Sequence, residues 1–576
     1  MSEDVCKEME RELWNPKPWE DDGTFHIGIN MAGAVSAGAY TAGVLDFLTE
    51  ALEQWYAAKT AENPKVPMHS VCIDVFSGAS AGGMCAAIAS VMLQGDFQHI
   101  RDTSVQGTNN RFYESWVNKV DIQWLLQDDD VKGGKPVISL LDSTVIDRIA
   151  DYALTPSPAT QRPYVSGSLT LFLTLTNVRG TPYSLNGTAQ GSAEEDTAYY
   201  GDKLQFEMVK GGNATPLSPF AKPLPVGTSG GAWLLLQEAA KATGAFPLFL
   251  APRKIDRLAK DYMLSPWEPV SKINPPCVPP HWTLKPDDSF TTLNVDGGVT
   301  DNDPFQLAHD FLAVHNPKAF ADPQTGELRN PPESEKANCA VLTVAPFPAD
   351  EIYDPNYDFN KNMSVLGMLP NLFTALISQS RFLGESLAAV MSGQAYSRFV
   401  LAPSDTGLPD TEALQCGLLS AFGGFFERGF RAHDYQLGRR NCQKFLKDHF
   451  RLAVSNPIIQ AGLGKFDDQT RNQVISKFAG SDDAPKDTVP IIPLCGTAED
   501  EVPEPPRAKI AAARLDQVLD WIENRLRAVS KPLVDGAVSA ELERALLLGA
   551  LNPLIKLAKP KLRDVLREKL KAVIAP

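Results

Sequence analysis

The chain has 576 residues, of which 43% are hydrophobic and 22% charged, as in soluble globular proteins, and its length suits two to four domains. Its net charge of −16 argues against nucleic acid as the main partner, because phosphate binding needs a basic surface. The acidic start lacks a signal-peptide core, no apolar run has transmembrane length and no cysteines form a CxxC pair, so we expect a cytoplasmic protein with reduced thiols.

Strands and helices alternate in the first part of the predicted fold. After an acidic arm (1–24), the stretch TFHIGINMAG (24–33) is typical of a short buried strand, and a helix with apolar residues at helical spacing follows it. A second apolar strand (71–76) precedes a helix of small residues, AGGMCAAIASVML. This alternation predicts a parallel sheet with helices packed against it.

The sequence Gly78-Ala79-Ser80-Ala81-Gly82 lies between the second strand and the following helix. One interpretation is a tight turn with a solvated serine. The other is a nucleophile: glycines permit a strained turn that exposes the serine oxygen, and the helix N-terminus behind it favours a developing oxyanion. The strand–helix context favours the nucleophile but leaves both interpretations open.

A nucleophilic serine also needs a base and an oxyanion hole. The loop NMAGAVSAGAY (30–40) consists almost entirely of small residues, so its backbone N–H groups can approach a substrate oxygen, although a plain strand–helix turn has the same composition. Asp296 ends an apolar strand and precedes Gly297 and Gly298. Since the ends of parallel strands meet at one edge of a sheet, Asp296 can reach Ser80; the alternative is an ordinary Asp-Gly turn.

Conventional α/β-hydrolases also place Ser, Asp and His in this order. Four histidines follow Asp296 in the chain: His309, His315, His433 and His449. However, only two strands precede Ser80, and these four histidines lie in helical patterns. We therefore prefer a Ser-Asp pair without histidine, and keep a Ser-His-Asp esterase acting on soluble esters as the alternative.

Together these motifs resemble the patatin-like phospholipase family. The resemblance rests on a first-strand loop leading into GAYTAGVL, then GASAG, then DGG, with ATGAFPLFLAPR (242–253) as further support. It implies a three-layer α/β/α fold with a mainly parallel sheet, followed by a helical C-terminal region. It also implies a lipid acyl hydrolase that cleaves carboxylic ester bonds of lipids, with Ser80 acylated and Asp296 acting as base.

One motif departs from the family pattern. The family's loop is Gly-rich and has an arginine before its last glycine, whereas this chain has Gly33-Ala34-Val35-Ser36-Ala37-Gly38. The predicted oxyanion donors are the backbone N–H groups around Gly33, Ala34, Val35 and Gly38, but Val35 resists a positive φ. A patatin-fold protein with a defective hole, serving as a lipid-binding or scaffold module, is therefore a second alternative.

The remaining sequence predicts the domain organisation. We expect a patatin-like catalytic domain over 25–450, which includes a Gly-, Ser- and acid-rich loop at 185–232 and a helix in MLPNLFTALISQSRFLGESLAAVM. A Pro-rich linker follows at 451–506, and then a helical basic tail at 507–576.

Two clusters of basic residues remain. Arginines at 428–441 suit either lipid phosphate or pairing with acids, and pairing is preferred. The tail has 14 lysines and arginines against 8 acidic residues, and its last helix suits peripheral membrane contact or packing on its own domain. No metal-ligand cluster or phosphate-binding loop is evident, so no cofactor is predicted, and the expected partner is a lipid ester.

Overall fold

The structure is a computed structural model. It describes residues 17–156, 160, 162–185, 195–210, 215–216, 218–263, 278–323, 326–347, 359, 363, 368, 398–480, 485–537 and 559–575. Most of the acidic arm, and all but one residue of the helix predicted in MLPNLFTALISQSRFLGESLAAVM, lie outside these residues.

A nine-stranded sheet forms the centre of the molecule. Its main path runs β11-β10-β1-β2-β3-β4-β5, with β7 pairing with both β3 and β6. The pairs among β11, β10, β1, β2 and β3 are parallel, whereas β4 and β7 run antiparallel to β3. The strands are β1 (Thr24–Met31), β2 (Ser70–Gly78), β3 (Val165–Leu185), β4 (Glu195–Val209), β5 (Lys222–Pro225), β6 (Arg253–Leu258), β7 (Ser289–Asp296), β10 (Cys339–Val344) and β11 (Arg398–Leu401). Two small two-stranded sheets pair β8 (Phe320–Ala321) with β9 (Leu328–Arg329), and β12 (Arg451–Ala453) with β13 (Thr488–Pro490).

The longer helices lie on both faces of the sheet. They are α1 (Gly38–Lys59), α2 (Ser80–Met92), α3 (Thr144–Ala153), α4 (Ala232–Thr243), α5 (Phe305–His315), α6 (Arg428–Asp448), α7 (Pro457–Leu463), α8 (Asp468–Phe478) and α9 (Ala512–Ala537). Short helical segments cover Val35–Ala37, Arg111–Tyr113, Glu114–Lys119, Ile122–Leu125, Lys132–Gly134, Lys260–Met263, Gly297–Val299, Asp410–Ala413, Gly423–Phe426, Gly496–Glu499 and Lys571–Val573.

The two faces have separate apolar cores. On one face, α5 packs through Ala308 and Leu312 against Val75 and Val341. On the other face, the larger core includes buried residues of α1, α2, α4 and α6. Strands covered on both faces explain the near-continuous apolar runs of β1, β2 and β10. The predicted α/β/α fold with a mainly parallel sheet is therefore confirmed, and among the described helices none is both long and apolar enough to cross a membrane.

Two segments differ from their predicted character. The predicted loop at 185–232 contains β4 and β5, because polar residues on one side of β4 hid the alternation of buried Leu204, Phe206 and Met208. The predicted linker at 451–506 contains α7, α8, β12 and β13, and its apolar side chains, including those of Ile459 and Ile491, are buried in the main core. Its prolines and acidic residues lie between packed helices and strands, so 451–506 is not an extended linker.

The basic tail packs on its own chain. Residues 559–569 are helical, and Leu566 and Leu570 are buried in the main core. Lys559 pairs with Asp520 and Glu523 of α9 at 2.6 Å. Of the two predicted roles, packing on its own domain therefore describes this helix, and most of its apolar face is covered by the rest of the chain.

Candidate active site

Ser80 and Asp296 are brought together by two strands that end beside the same stretch of β3. The end of β2 places Gly78 opposite Leu173, and the end of β7, running in the other direction, places Asp296 opposite Leu175. The two strands thus point toward each other, rather than lying side by side as a parallel arrangement would place them. The Ser80 Oγ donates a hydrogen bond of 2.7 Å to Asp296 Oδ2 across the gap.

The backbone at Ser80 is strained and tightly enclosed. Ser80 is the first residue of α2 and has φ +52°, a conformation that non-glycine residues adopt at a cost. A Cβ on Gly82 would lie 2.1 Å from the Met31 carbonyl oxygen, so only glycine fits there. The Ser80 N–H donates to Thr243 Oγ1 at 2.9 Å, which holds the turn from the end of α4.

Asp296 is almost completely buried. Burial raises the pKa of its carboxyl from the ordinary 3.8 to about 7, while hydrogen bonds from Ser80 and from the Gly298 N–H oppose the rise. The Gly298 bond, 2.8 Å to Oδ1, fixes the carboxyl so that Oδ2 faces the serine. The DGG turn is close-packed, since a Cβ on Gly297 would lie 2.2 Å from the Thr174 carbonyl oxygen. The carboxyl therefore changes its charge close to neutral pH, as a general base requires.

Two of the four predicted oxyanion donors are already occupied. The Gly33 N–H donates to the Asn302 carbonyl oxygen at 3.0 Å, and the Gly38 N–H donates to the Ser36 carbonyl oxygen. The N–H groups of Ala34 and Val35 have no hydrogen-bond partner among the described residues. Gly33 also lies close to Ser80, because a Cβ on Gly33 would be 3.1 Å from the Cβ of Ser80. The free donors of the loop are thus at Ala34 and Val35.

Val35 does adopt a positive φ, of +48°, despite its branched side chain. The next residue fastens this conformation. The Ser36 N–H and Oγ both donate to the Ala421 carbonyl oxygen, at 3.2 and 2.5 Å, and the Gly424 N–H donates to Ser36 Oγ at 3.1 Å. We call this set of bonds the Ser36 clamp. It joins the loop to a segment almost 400 residues further along the chain.

An apolar cavity of about 760 Å³, a volume that includes open solvent, begins at Ser80 and Asp296. Its remaining lining residues are Val35, Ala81, Met84, Ile88, Ser115, Trp116, Val120, Leu125, Leu141, Ile146, Ile149, Gly244, Phe246, Phe249, Leu250, Phe422 and Phe425. Its composition suits a hydrocarbon chain rather than a charged or sugar-like group.

The structure separates the candidate histidines from this site. All eight histidines of the chain belong to the described residues, and none of them lines the cavity or hydrogen-bonds to Ser80 or Asp296. His309 and His315 lie on α5, which packs on the opposite core, and His433 contacts its neighbour Asp434. A Ser-His-Asp triad is therefore not assembled.

The arginines of 428–441 serve the core of the protein. Arg439 binds Asp46 and Glu50, Arg431 binds the Gly424 carbonyl oxygen at 2.5 Å, and both guanidinium groups are buried. Pairing within the protein, rather than lipid phosphate, accounts for these two side chains.

One group of side chains away from the site could hold a metal ion. The ligand atoms of His26, Cys72 and Asp74 lie within 4.8 Å of one another. However, His26 Nδ1 is already hydrogen-bonded to Asp74 Oδ2 at 2.8 Å, and burial raises the pKa of the Cys72 thiol far above its usual range. Three donors, one of them a protonated thiol, do not match the four ligands of a structural zinc site.

Sequence motifs did not reveal every residue around the serine. Thr243, Ser36, Phe422 and Phe425 approach it only through the fold. Thr243 is the last residue of an ordinary amphipathic helix, and the two phenylalanines lie in FGGFF, which has no periodic pattern. The segment 242–253, quoted for its resemblance, contains Thr243 and part of the cavity wall, but its sequence assigned no role to Thr243.

A strained serine at a strand–helix junction, bonded to a buried aspartate at the edge of an apolar cavity, is the geometry of an α/β serine hydrolase. A model of the patatin-like phospholipase family matches residues 30–309. The uncharacterized protein y4iI of Sinorhizobium fredii (strain NBRC 101917 / NGR234) is 36% identical over 591 residues, covering 94% of this chain and 80% of that protein. The chain belongs to the patatin-like phospholipase family, whose members act on lipid esters.

A comparison with solved structures finds the crystal structure of VipD from Legionella pneumophila. It covers 100% of this chain and 95% of that chain at 11% identity, with a TM-score of 0.22. A TM-score this low does not indicate a shared fold, so the family assignment rests on the family model and the sequence relative.

Proposed function

We propose that this protein is a Ser-Asp lipid acyl hydrolase that cleaves carboxylic esters of lipids, with phospholipids as the first class to test. The observation that carries the proposal is the 2.7 Å hydrogen bond from Ser80 Oγ to Asp296 Oδ2 at the edge of the apolar cavity. A serine is a weak nucleophile unless a base takes its proton, and Asp296 is the group in contact with it.

The reaction proceeds in two halves. As Ser80 Oγ bonds to the acyl carbonyl carbon, its proton passes to Asp296, and collapse of the tetrahedral intermediate expels the lipid alkoxide, which takes that proton. Water then attacks the acyl-enzyme while Asp296 accepts a proton from it, and as the bond to Ser80 Oγ breaks Asp296 returns that proton to Oγ and the fatty acid leaves. A base with a pKa near 7 is suited to both proton transfers.

The backbone around Ser80 would stabilise the developing oxyanion. The N–H groups of Ala34 and Val35 are free to donate, and the N-terminus of α2 directs its partial positive charge toward the same place. Loss of a single donor of this kind typically costs about 2.7–4 kcal/mol of transition-state stabilisation. A glycine-rich loop would adopt this conformation without strain, whereas here the Ser36 clamp holds the loop in it.

The cavity would hold the acyl chain, and the head group would remain toward solvent. Cytoplasmic localisation stays a prediction, as does contact with a membrane. The tail helix is a poor anchor, because Leu566 and Leu570 are buried.

Labelling with a fluorophosphonate probe tests the proposal, comparing wild type with Ser80→Ala and Asp296→Asn. Labelling of wild type alone, with release of fatty acid from phospholipid vesicles, supports it. Labelling that survives Ser80→Ala would place the nucleophile elsewhere. A folded wild type that neither labels nor hydrolyses any lipid, yet binds lipid, would instead support the lipid-binding module.

A further inference from the structure

Several large apolar side chains are exposed beside the cavity. The fractional exposure is 75% for Leu248, 64% for Ile138, 43% for Trp124 and 42% for Leu526. We call these four residues the apolar rim. Isolated exposed leucines are common, but a group of exposed apolar residues on segments that line a pocket indicates an interaction site.

Hydrogen bonds connect the segments that carry the rim. The N–H groups of Leu140 and Leu141 donate to the carbonyl oxygens of Leu248 and Phe249, at 2.8 and 3.0 Å. The side chain of Arg525, next to Leu526 on α9, donates to the Leu140 carbonyl oxygen at 2.8 Å. The segments that carry Leu248, Ile138 and Leu526 are therefore joined to one another in the fold.

The same segments form the wall of the cavity. Leu125, Leu141 and Phe249 line it, and each of them is the neighbour, or lies within three residues, of a rim residue. An acyl chain entering the cavity would therefore pass from one apolar surface to another. This continuity indicates what the rim contacts, because the chains that fill the cavity come from a lipid aggregate.

The backbone at Leu248 gives an independent indication. Its φ is +68°, a conformation in which leucine is strained and glycine or asparagine is favoured. A leucine that is strained and also largely exposed contributes little to folding. Strained backbone of this kind is concentrated at functional sites, where another requirement keeps the residue.

Charge selects the kind of lipid surface. The charges next to Trp124 are of both signs: Asp128 and Asp129 share one partner, Lys132, at 3.0 and 2.7 Å, and Lys119 and Arg148 line a surface recess together with Trp124. The whole chain carries a net charge of −16, which repels anionic lipid. The rim therefore fits an interface without net charge, such as phosphatidylcholine.

We propose that the apolar rim inserts into the surface of zwitterionic lipid aggregates and delivers acyl chains to the cavity. The proposal rests on the proposed function for its substrate. Trp124 suits the boundary between head groups and hydrocarbon, where aromatic side chains with a polar edge are favoured. Binding should change little with salt, because apolar burial rather than ion pairing drives it.

The test is co-sedimentation of the full chain with phosphatidylcholine vesicles, comparing wild type with Leu248→Asn and Ile138→Asn. Asparagine tolerates positive φ, so Leu248→Asn should fold at least as well as wild type. We expect about tenfold weaker vesicle binding for each variant and up to about a hundredfold for the double variant. Turnover of a short soluble ester should remain unchanged, because neither residue lines the cavity.

Val565→Asn is the matched control, since Val565 is 50% exposed on the tail helix, the rival site of membrane contact. Wild-type binding by the control, with loss in the rim variants, supports the rim. Equal binding by wild type and the double rim variant, loss in Val565→Asn alone, or binding only to anionic vesicles would overturn it. Lipid turnover, compared between wild type and Ser80→Ala, tests the proposed function separately from the rim. If wild type turns over no lipid, the proposed function fails, while loss of vesicle binding in the rim variants would still support the rim.

Discussion

The charge of Asp296 should control both activity and stability. Folding raises the pKa of this carboxyl from 3.8 to about 7, chiefly by burial. As the proposed base, Asp296 must be ionised, so kcat/KM for a soluble ester should rise about tenfold per pH unit up to about pH 7 and then level off. Measurement of kcat/KM from pH 5.5 to 8.5 checks this, and a flat profile would refute the assignment of Asp296 as the base.

Stability should change in the opposite direction. The folded chain binds this proton more tightly than the unfolded chain does, so the stabilisation is complete below pH 3.8 and is lost as the pH rises through 7. The full difference corresponds to about 4 kcal/mol, of which about 3 kcal/mol falls between pH 5 and pH 8. For a catalytic domain that unfolds as one unit, this amounts to about 3 °C in Tm.

The variant Asp296→Asn isolates this contribution, because asparagine has nearly the same shape and no charge. Its Tm relative to wild type should increase by about 3 °C between pH 5 and pH 8. Ser80→Ala is the control: it is equally inactive, but it keeps the carboxyl and removes a hydrogen bond that lowers the pKa. It should therefore retain the pH-dependent loss of stability. A Tm difference between Asp296→Asn and wild type that does not change with pH would contradict the burial argument.

Three further substitutions test the supports of the site and the packing of the tail. Thr243→Val should leave the Ser80 N–H without a partner, lowering the free energy of unfolding by about 1–3 kcal/mol and reducing kcat. Thr243→Ser should retain wild-type stability and kcat, and denaturant unfolding and esterase kinetics check both variants. Ser36→Ala removes the two side-chain bonds of the Ser36 clamp and should lower kcat at least tenfold with little change in KM, since the loop positions donors rather than substrate; an unchanged kcat would count against the clamp. Leu570→Ala should destabilise the chain by about 2–5 kcal/mol while vesicle binding stays at the wild-type level, as thermal melts and co-sedimentation would show.

The contact between Ser80 and Asp296 could be predicted because short local patterns specify where each residue lies. GASAG after an apolar strand predicts a strained turn at the start of a helix, and Ser80 occupies such a turn with φ +52°. The DGG turn similarly predicts a carboxylate at a strand end. The direction of β7 could not be predicted, because antiparallel pairing with β3 depends on contacts between residues more than 100 positions apart.

The supports of the pair could not be predicted, for a related reason. Ser36 is one small residue among many in its loop, and its partner Ala421 lies in an irregular segment without periodicity. Prolines and acids at 451–506 predicted a linker, yet tertiary packing buries residues such as Ile459 and Ile491 between them. Composition describes the surface of such a segment, whereas its sparse apolar residues determine where it packs.

Residues with a strained backbone are concentrated around the cavity. Six non-glycine residues of the described chain have positive φ: Val35, Ser80, Leu248, Leu419, Ser420 and Ala421. All six lie in the cavity wall or within three residues of it. Such conformations persist only where surrounding structure enforces them. The last three form a left-handed turn that presents the Ala421 carbonyl oxygen to Ser36.

That turn explains how the altered loop keeps its shape. A glycine-rich loop adopts positive φ at little cost, whereas Val35 must be held there. The holding residues lie at 421–424, beyond the region 30–309 that matches the family model. The loss of loop glycines is therefore offset from outside the matched region. In the proposed mechanism the donors at Ala34 and Val35 depend on the Ser36 clamp, so we expect loss of the clamp to give the defective hole of the lipid-binding alternative.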